Sequence, residues 1–284
     1  MSTEAGRNGL LEEMNAIIEM FPFRKAVFDT IPPGSSKILD FGCNQGELLL
    51  RLKRDKQCRD LYGIEINDGC SAALEKHLDG SWIIDISKDG AGLGEAYHGF
   101  FNYMVLHDVV EHLYDPWFVL GKLRQYLSPD GVLILVTPNF QYWGLIRELL
   151  QGHFFYGSGG GLMNEDHIRW FTYNSLLEMV TLAGFDATRF QLLFPPDTEF
   201  ASIDAEAIHT VLKLPPNEVR VQETRPYSIT LPAGLKKEYV FYLANKIMLF
   251  CKPSKIPIVP ERIRVGGLEA RRHKNLKTHT HSWD

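Results

Sequence analysis

The stretch Lys37–Gly46 constrains the fold more than any other part of the sequence, because an apolar run there ends at an acid and is followed by two glycines. Asp40 closes the run, Gly42 and Gly46 follow it, and residues 47–52 then have the leucine-rich composition of a helix. This order predicts a strand, a tight loop and a helix, with loop N–H groups that face a ligand. Gly42 can adopt a backbone conformation that is closed to other residues, and Gly46 leaves space beside the helix start. The stretch therefore predicts a binding loop for a nucleotide-like molecule.

Short apolar runs and segments of helical period alternate along the chain after this loop. Four further apolar runs predict strands at residues 61–66, 81–86, 100–106 and 131–137. The segments that separate these runs are long enough to form helical crossovers, which predict parallel strands with helices on both faces of the sheet. Two later runs, at 190–194 and 246–251, predict strands that complete the sheet, the last of them antiparallel. The predicted fold class is α/β, with a Rossmann-like, doubly wound, mostly parallel seven-stranded sheet, plus a cap and an insertion.

The same patterns divide the chain into parts. We predict an N-terminal helical cap at residues 1–34, a central sheet domain at 35–254 and a basic tail at 255–284, which we interpret as a solvated end. Residues 9–21 place apolar side chains on one helical face, which fits either a helix that covers the sheet edge or a lid over the site. Residues 195–244 mix proline pairs with weak alternation and are predicted to be an insertion, either a lid or a dimer contact in a homodimer.

The composition argues against several classes of protein. The net charge of −5 and the sequence pI near 6.1 disfavour a chain that mainly binds nucleic acid through its phosphates. No apolar run approaches the roughly 20 residues that a membrane span needs. The four cysteines form no CxxC pair, and no histidine accompanies them at zinc spacing. Reduced thiols in a cytoplasmic protein are therefore expected.

Open α/β sheets bind their ligands at the edge where the parallel strands end. The predicted strands bring to this edge Asp40, Gly42, Glu65, Asp85, His107 and Asp108. Glu65 lies 19 residues after Gly46 and is placed to accept hydrogen bonds from both hydroxyl groups of a ribose. The edge is therefore the predicted site.

The glycine loop argues against a nicotinamide dinucleotide and hence against an oxidoreductase. Its glycines follow the pattern GxxxG rather than GxGxxG. The carboxylate of Asp40 would also face the negative pyrophosphate of a dinucleotide, whereas it could orient the loop around a ligand with an ammonium group. The loop favours a nucleoside joined to an amino acid.

Residues 37–194 resemble the class I S-adenosylmethionine-dependent methyltransferases. Residues 39–46 are similar to the first motif of that family, and Glu65 matches its ribose-binding acid. The segment 107–116 resembles a subgroup that includes ubiquinone-pathway and small-molecule or sugar O-methyltransferases. Later segments of that subgroup have similar counterparts at residues 127–132 and 167–172.

The resemblance implies S-adenosyl-L-methionine as the cofactor and a small molecule as the acceptor. The predicted reaction is in-line methyl transfer to a hydroxyl of a sugar, quinol or secondary metabolite, and the alternatives are a non-catalytic cofactor-binding protein or an N- or C-methyltransferase. A protein or nucleic-acid acceptor is disfavoured, because no Asn-Pro-Pro-Tyr type of segment follows the fourth strand. The implied cofactor-binding residues, with Asp85 and Ile86 at the adenine, are Asp40, Gly42, Cys43, Asn44, Gly46, Glu65, Ile66, Asp85, Ile86, His107 and Asp108.

Removal of a proton from an acceptor hydroxyl requires a base with a pKa near neutrality. His107 is the first candidate for this catalytic role, and His112 and His167 follow. Asp108, Glu111 and His112 would share one face of a helix that begins near Asp108. Ubiquinone-pathway O-methyltransferases have a similar run that is implicated in divalent-metal binding. We interpret the run here as a helix cap with local hydrogen bonds, and we predict no metal.

Overall fold

Seven strands form a single sheet in the part of the chain that the structure describes. The structure is a computed structural model, and it describes residues 4–20, 24–158, 161–194 and 240–255. Its strands are β1 (Ser36–Phe41), β2 (Arg59–Glu65), β3 (Gly80–Ile83), β4 (Phe101–His107), β5 (Leu127–Pro138), β6 (Phe185–Leu193) and β7 (Lys246–Pro253). Their order is β3-β2-β1-β4-β5-β7-β6, with β7 antiparallel to both neighbours and the other pairs parallel. The predicted fold class, including the antiparallel last strand, is confirmed.

Helices connect the strands and cover the sheet. They are α1 (Glu4–Met20), α2 (Lys25–Thr30), α3 (Glu47–Lys56), α4 (Ser71–His77), α5 (Ile86–Asp89), α6 (Pro116–Leu123), α7 (Trp143–Leu150), α8 (Tyr173–Leu182) and α9 (Val240–Leu243). Within the described ranges, no helix combines the length and the apolar character that crossing a membrane requires.

Neighbouring residues of the central strands point to opposite faces of the sheet, because side chains alternate along a strand. In β1, Ile38 is buried in a cluster with Leu48 and Leu49 of α3. Its neighbour Leu39 belongs to a second cluster, which includes Leu120 of α6. Both faces of the parallel core are therefore covered, which explains why its strands are almost continuously apolar.

The N-terminal helix α1 packs beside the helix that follows the glycine loop. Ile17 and Ile18 of α1 are buried against Leu50 of α3, and Met14 packs against the same cluster. A helix is therefore present at Glu4–Met20, where residues 9–21 were expected to form one, and it packs on α3.

The described residues leave the predicted division of the chain untested. Only residues 240–244 of the insertion predicted at 195–244 are described, and only residue 255 of the tail predicted at 255–284. The cap at residues 1–34 contains α1 and α2, but its separation from a domain at 35–254 remains a prediction.

The chain is anchored where it returns to the sheet before β7. Asn139, which follows β5 and is fully buried, donates from its side-chain amide to the carbonyl oxygens of Phe241 at 2.7 Å and Ala244 at 2.8 Å. Leu193, the last residue of β6, pairs with Lys246, the first residue of β7. The chain that leaves β6 therefore rejoins the sheet at the same edge.

The sheet order reverses between β1 and β4, which is where open α/β sheets leave a crevice for ligands. β1 pairs with β2 on one side and with β4 on the other, and the three strands end at one edge. The loops that follow these strands carry most of the predicted site residues.

Replacement of Gly63 of β2 with alanine should destabilise the fold, because a Cβ there would lie 2.6 Å from Sγ of Cys43 and 3.0 Å from Cδ1 of Leu78. Such overpacking costs about 1–3 kcal/mol, and we expect the free energy of unfolding in urea to fall by this amount. Gly9→Ala is the matched control, since a Cβ at Gly9 in α1 contacts nothing within 4 Å and alanine favours helix. Wild-type stability of Gly63→Ala would contradict the packing described here.

Candidate functional site

The loop after β1 adopts left-handed backbone conformations at three positions. Gly42 and Gly46 have φ values of 63° and 88°, which explains why glycine occupies both positions. Asn44 has a φ of 49°, a conformation that asparagine tolerates better than most residues. Gly46 is followed directly by α3. The predicted strand, tight loop and helix are confirmed.

The N–H groups of this loop are bonded within the protein. The amides of Gly42 and Cys43 both donate to the carbonyl oxygen of Ile64, at 2.8 and 3.2 Å. The amide of Gly46 donates to the carbonyl oxygen of Cys43 at 2.8 Å. The prediction that loop N–H groups face a ligand is wrong for these three, because their hydrogen bonds close the loop and fasten it to β2.

Glu65, at the end of β2, is held by three backbone amides. One carboxylate oxygen accepts from the amide of Asn44 at 2.8 Å, and the other accepts from Ile66 at 2.8 Å and Asn67 at 3.1 Å. An ionised carboxylate has about four acceptor positions, so Glu65, with three of them used, retains about one for a hydroxyl of a ribose. Beside it, Ile66 is 66% exposed and offers an apolar surface at the same edge.

An arginine that the sequence analysis did not single out lies behind the loop. Arg24, just before α2, donates to the two oxygens of Asp40 at 3.2 and 2.6 Å and pairs with Glu47 at 2.8 Å. Asp40 is fully buried, and burial raises its pKa although Arg24 opposes the rise. Arg24 therefore joins β1 to the start of α3, the two elements that flank the loop. Arg24 and Asp40 are 16 positions apart, and no local pattern marks the pairing.

Asp85 and Ile86 follow β3, the strand that pairs with β2 at Glu65. One carboxylate oxygen of Asp85 accepts from the amide of Ser87 at 3.0 Å and from its hydroxyl at 2.6 Å, which caps α5. Its other oxygen lies 3.5 Å from Nζ of Lys88. Ile86 is buried in the core. Both residues lie one strand away from Glu65, and their role at an adenine remains a prediction.

His107 ends β4 and is largely buried, with 13% of its side chain exposed. Burial lowers the pKa of His107 to about 3, although the carboxylate of Asp108, 3.7 Å away, favours the charged ring. The ring is therefore neutral at pH 7 and is a weak base. His107 lies at the predicted edge of the sheet. Its burial, however, disfavours it as the catalytic base.

Asp108 has an unusual backbone conformation and a lysine partner. Its φ is 56°, which is uncommon for a residue other than glycine. Its carboxylate contacts Nζ of Lys246 at the start of β7. Burial alone would raise the pKa of Asp108, but His107 and Lys246 lower it overall. Sequence analysis missed Lys246, because the contact spans 138 residues and exists only once β7 has entered the sheet.

The segment after Asp108 is a single 3₁₀ turn, Val110–His112, that no side chain caps. The predicted helix with Asp108 as its cap is therefore wrong. Glu111 in this turn is buried and accepts a hydrogen bond of 2.9 Å from the hydroxyl of Thr137. Burial raises the pKa of Glu111 to about 8, and the charge of Asp108 adds to the rise.

His112 and His167, far apart in sequence, lie side by side with ring centroids 4.8 Å apart. Nδ1 of His112 lies 3.1 Å from the carbonyl oxygen of Asp166, and Nδ1 of His167 lies 3.0 Å from that of Leu162. A carbonyl oxygen can only accept, so each Nδ1 carries the proton and each Nε2 is the unprotonated nitrogen of the neutral ring. His112 is exposed and His167 is buried, so His112 is the histidine best placed to serve as a base.

Glu111, His112 and His167 are the described residues that could hold a divalent metal ion. Each offers one ligand atom, and these atoms lie within 4.8 Å of one another. Imidazole and carboxylate together suit several transition metals. The amides of Ile168 and Arg169 each donate to the carbonyl oxygen of Glu111 at 3.0 Å, which keeps His167 close to the other two. The sequence-based expectation of no metal remains a prediction.

Replacement of His107 with asparagine should reduce the loss of stability in acid. The folded pKa of about 3 lies below the unfolded value of about 6.5, so unfolding takes up a proton between these values. The neutral His107 therefore adds its full contribution to the free energy of unfolding above about pH 6.5, and this contribution is lost as the pH falls toward about 3. The melting temperature of the wild type should therefore fall more steeply from about pH 7.5 to about pH 5 than that of His107→Asn.

The exposed His98 provides the control for this measurement, and His98→Asn should keep the wild-type slope. Equal slopes for His107→Asn and the wild type would show that His107 is not neutral in the folded protein.

Comparison with known proteins identifies the family to which the chain belongs. A family model described as a methyltransferase domain matches residues 14–189, while no curated protein matches the sequence. A solved S-adenosylmethionine-dependent methyltransferase from Archaeoglobus fulgidus is similar, with a TM-score of 0.52 and 14% identity over 84% of this chain and 94% of that chain. One from Mesorhizobium loti has a TM-score of 0.51 and 14% identity over 83% of this chain and 99% of that chain.

Structural similarity at this low identity shows the fold alone. The family match covers more than half of the chain and contains the glycine loop, Glu65 and the two paired histidines. The chain therefore belongs to the methyltransferase domain family and is a class I S-adenosylmethionine-dependent methyltransferase.

Proposed function

We propose that this methyltransferase methylates a hydroxyl group of a small molecule. The observation that carries the proposal is the hydrogen bond from Nδ1 of His112 to the carbonyl oxygen of Asp166, which leaves Nε2 of this exposed ring as the acceptor nitrogen beside the edge where β4 ends. The carbonyl oxygen of Asp166 holds the other nitrogen, which sets both the tautomer and the orientation of the ring. A hydroxyl acceptor needs such a base, whereas a neutral amine can attack with its own lone pair.

The residues that follow β1, β2 and β3 form the proposed cofactor seat. When bound, S-adenosylmethionine supplies a methyl group on a positively charged sulfur. The carboxylates of Asp40, Glu47 and Glu65 lie in or beside the loop, and their negative charge suits a cationic ligand. Glu65 would accept a hydrogen bond from the ribose, and the loop residues that would surround the amino-acid end are Gly42, Cys43, Asn44 and Gly46.

The remaining predicted residues complete this seat. Ile66, Asp85 and Ile86 would contact the adenine, since they lie at the ends of β2 and β3. His107 and Asp108 would line the junction between cofactor and acceptor, since they end β4 beside β1.

His112 has one chemical task in this proposal. Its Nε2 accepts the proton of the acceptor hydroxyl as the C–O bond forms and the C–S bond breaks. His107 does not compete for this proton, because its pKa of about 3 makes it a far weaker base. His167 is the second candidate, and its burial keeps it further from an acceptor that enters from solvent.

A divalent ion at Glu111, His112 and His167 would change the role of His112. The ion would use the Nε2 lone pair and would itself lower the pKa of an acceptor hydroxyl. The two roles of His112 differ in their sensitivity to a chelator, because only the metal-bound form loses activity when the ion is removed.

Replacement of Glu65 with alanine should weaken the binding of S-adenosylmethionine and S-adenosylhomocysteine by about 1–3 kcal/mol, because the ribose loses its hydrogen-bond acceptor. Calorimetric titration of each ligand measures the effect. Glu75→Ala, at an exposed position of α4, is the control and should bind both ligands as the wild type does. Wild-type affinity of Glu65→Ala would show that the ribose binds elsewhere.

Replacement of His112 with glutamine should lower turnover about 10²–10⁴-fold, because the acceptor loses its general base. An acceptor is first found by screening hydroxylated small molecules for S-adenosylhomocysteine formation with the wild type. Cofactor affinity of the variant, measured by calorimetry, should be unchanged, and His98→Gln should keep full turnover.

Two results would revise this assignment. Loss of wild-type turnover in a chelator, with recovery on addition of a divalent ion, would assign the histidine to a metal. Full turnover of His112→Gln would show that His112 is not the general base and would contradict the assignment.

A further inference from the structure

Large apolar side chains are exposed mainly in one region of the described structure. Of the eight such side chains that are exposed, seven lie within residues 149–156 or at Tyr114 and Ile168. Phe155 and Tyr156, for example, are 75% and 53% exposed. Single apolar residues on a surface need no explanation, whereas a contiguous apolar patch marks a site of interaction. The concentration of these side chains therefore indicates contact with an apolar ligand.

Four aromatic rings in and beside this region lie side by side and form a surface that we call the aromatic wall. Phe154 lies 5.5 Å from Tyr156 and 6.2 Å from Trp170, measured between ring centroids. Phe140 lies 6.0 Å from Trp170. Phe154 and Tyr156 are 41% and 53% exposed, so two rings of the wall are open to solvent. Such rings pack favourably against a further flat, apolar ring.

The aromatic wall adjoins His112, the proposed base. Trp170 comes four residues after Asp166, whose carbonyl oxygen lies 3.1 Å from Nδ1 of His112. Four residues of chain span at most about 14 Å. The amide of Phe140 also donates to the carbonyl oxygen of Phe171 at 2.8 Å, so the same short segment holds both the wall and the histidine. An acceptor whose hydroxyl contacts Nε2 of His112 therefore has its remaining atoms within reach of the wall.

His112 receives little electrostatic support as a base. In a Ser-His-Asp triad, a carboxylate stabilises the imidazolium that forms when the histidine takes up a proton. The partner of Nδ1 of His112 is a backbone carbonyl, which is neutral. A phenol, like the tyrosine side chain, has a pKa of about 10, whereas an aliphatic hydroxyl is about as weak an acid as water, with a pKa of about 16. The surroundings of His112 therefore suit a phenol better than an aliphatic hydroxyl.

We propose that the acceptor is a phenol whose flat, apolar ring packs against the aromatic wall while its hydroxyl contacts Nε2 of His112. This substrate class rests on the hydroxyl acceptor and the base proposed above. The phenolic proton passes to Nε2, the oxygen forms a bond with the methyl carbon, and the bond from that carbon to sulfur breaks. The products are an aryl methyl ether and S-adenosylhomocysteine, and the imidazolium returns its proton to water. A sugar fits the wall less well, because its hydroxyl groups would face ring carbons instead of hydrogen-bonding groups.

Binding of two matched probes tests the wall. The probe 2-naphthol is a phenol with two fused rings, and decahydro-2-naphthol has the same skeleton and hydroxyl without aromatic rings. In calorimetric titrations with S-adenosylhomocysteine and a chelator present, the wild type should bind 2-naphthol about 3–10-fold more tightly, because ring packing adds to apolar contact. Trp170→Leu and Phe154→Leu keep the apolar contact but remove a ring, and each should reduce this preference about threefold or more.

His98→Leu is the matched control, because it removes an exposed ring just before β4, at the opposite end of that strand from His107. It should keep the wild-type preference. Thermal unfolding establishes that each variant is folded, and the ring of Phe154 is exposed enough that its loss leaves the core intact. Equal binding of the two probes by the wild type, or an undiminished preference in both wall variants, would overturn the proposal.

Turnover separates this proposal from the one on which it rests. Formation of S-adenosylhomocysteine from S-adenosylmethionine should proceed with 2-naphthol but not with decahydro-2-naphthol or methyl glucoside. Turnover of methyl glucoside that is lost in His112→Gln would overturn the phenol and leave the general base intact. Full turnover of 2-naphthol by His112→Gln would contradict the general base, whereas a binding preference lost in the wall variants would still support a phenol at the wall.

Discussion

The buried guanidinium of Arg24 is the group on which the first strand, the third helix and the N-terminal segment jointly depend. A carboxylate that is moved out of water without a counter-charge costs several kcal/mol, so β1 can end at a buried Asp40 only when a cation lies behind it. Arg24 meets this requirement and at the same time reaches Glu47 at the start of α3. Val27 of α2, three residues after the arginine, is buried against Leu48 and Leu49 of α3. An electrostatic requirement of one strand thus determines where the N-terminal segment lies.

The two halves of the proposed site, the cofactor half and the acceptor half, are built in different ways. In the cofactor half, side-chain carboxylates accept from backbone amides, as Glu65 does from the loop and from its own strand end. In the acceptor half, backbone carbonyls orient side chains, as those of Asp166 and Leu162 do for the two histidines. The hydrogen bonds of Glu65 join the ends of neighbouring strands, so they form when the sheet forms. The arrangement of the histidines depends on a later segment that returns to the turn after β4, so the acceptor half can change its geometry without disturbing the sheet.

Local patterns predicted the parts of this structure that local physics determines. The left-handed glycines of the loop, the acid that ends β2 and the apolar strands all depend on residues close in sequence. Arg24 and Lys246 were missed because their partners lie 16 and 138 residues away and meet them only in the folded sheet. The structure favours His112 over His107 for a related reason, since burial lowers the pKa of His107 and no spacing reveals burial. β6 was predicted to begin at residue 190 but begins at Phe185, because an edge strand tolerates polar residues that mask its pattern.

The anchoring of the chain before β7 bears on how such an enzyme can diversify. Leu193 and Lys246 are paired, and Asn139 holds the chain that leads into β7, so any segment between them has its two ends held side by side. The entropy of closing such a segment rises by only about 0.6 kcal/mol for each doubling of its length. Lys246, where the segment rejoins the sheet, contacts Asp108 beside the acceptor half. Insertions, deletions and replacements between these anchors can therefore be inherited at little thermodynamic cost, and a lineage can acquire new acceptors while the cofactor seat stays as it is.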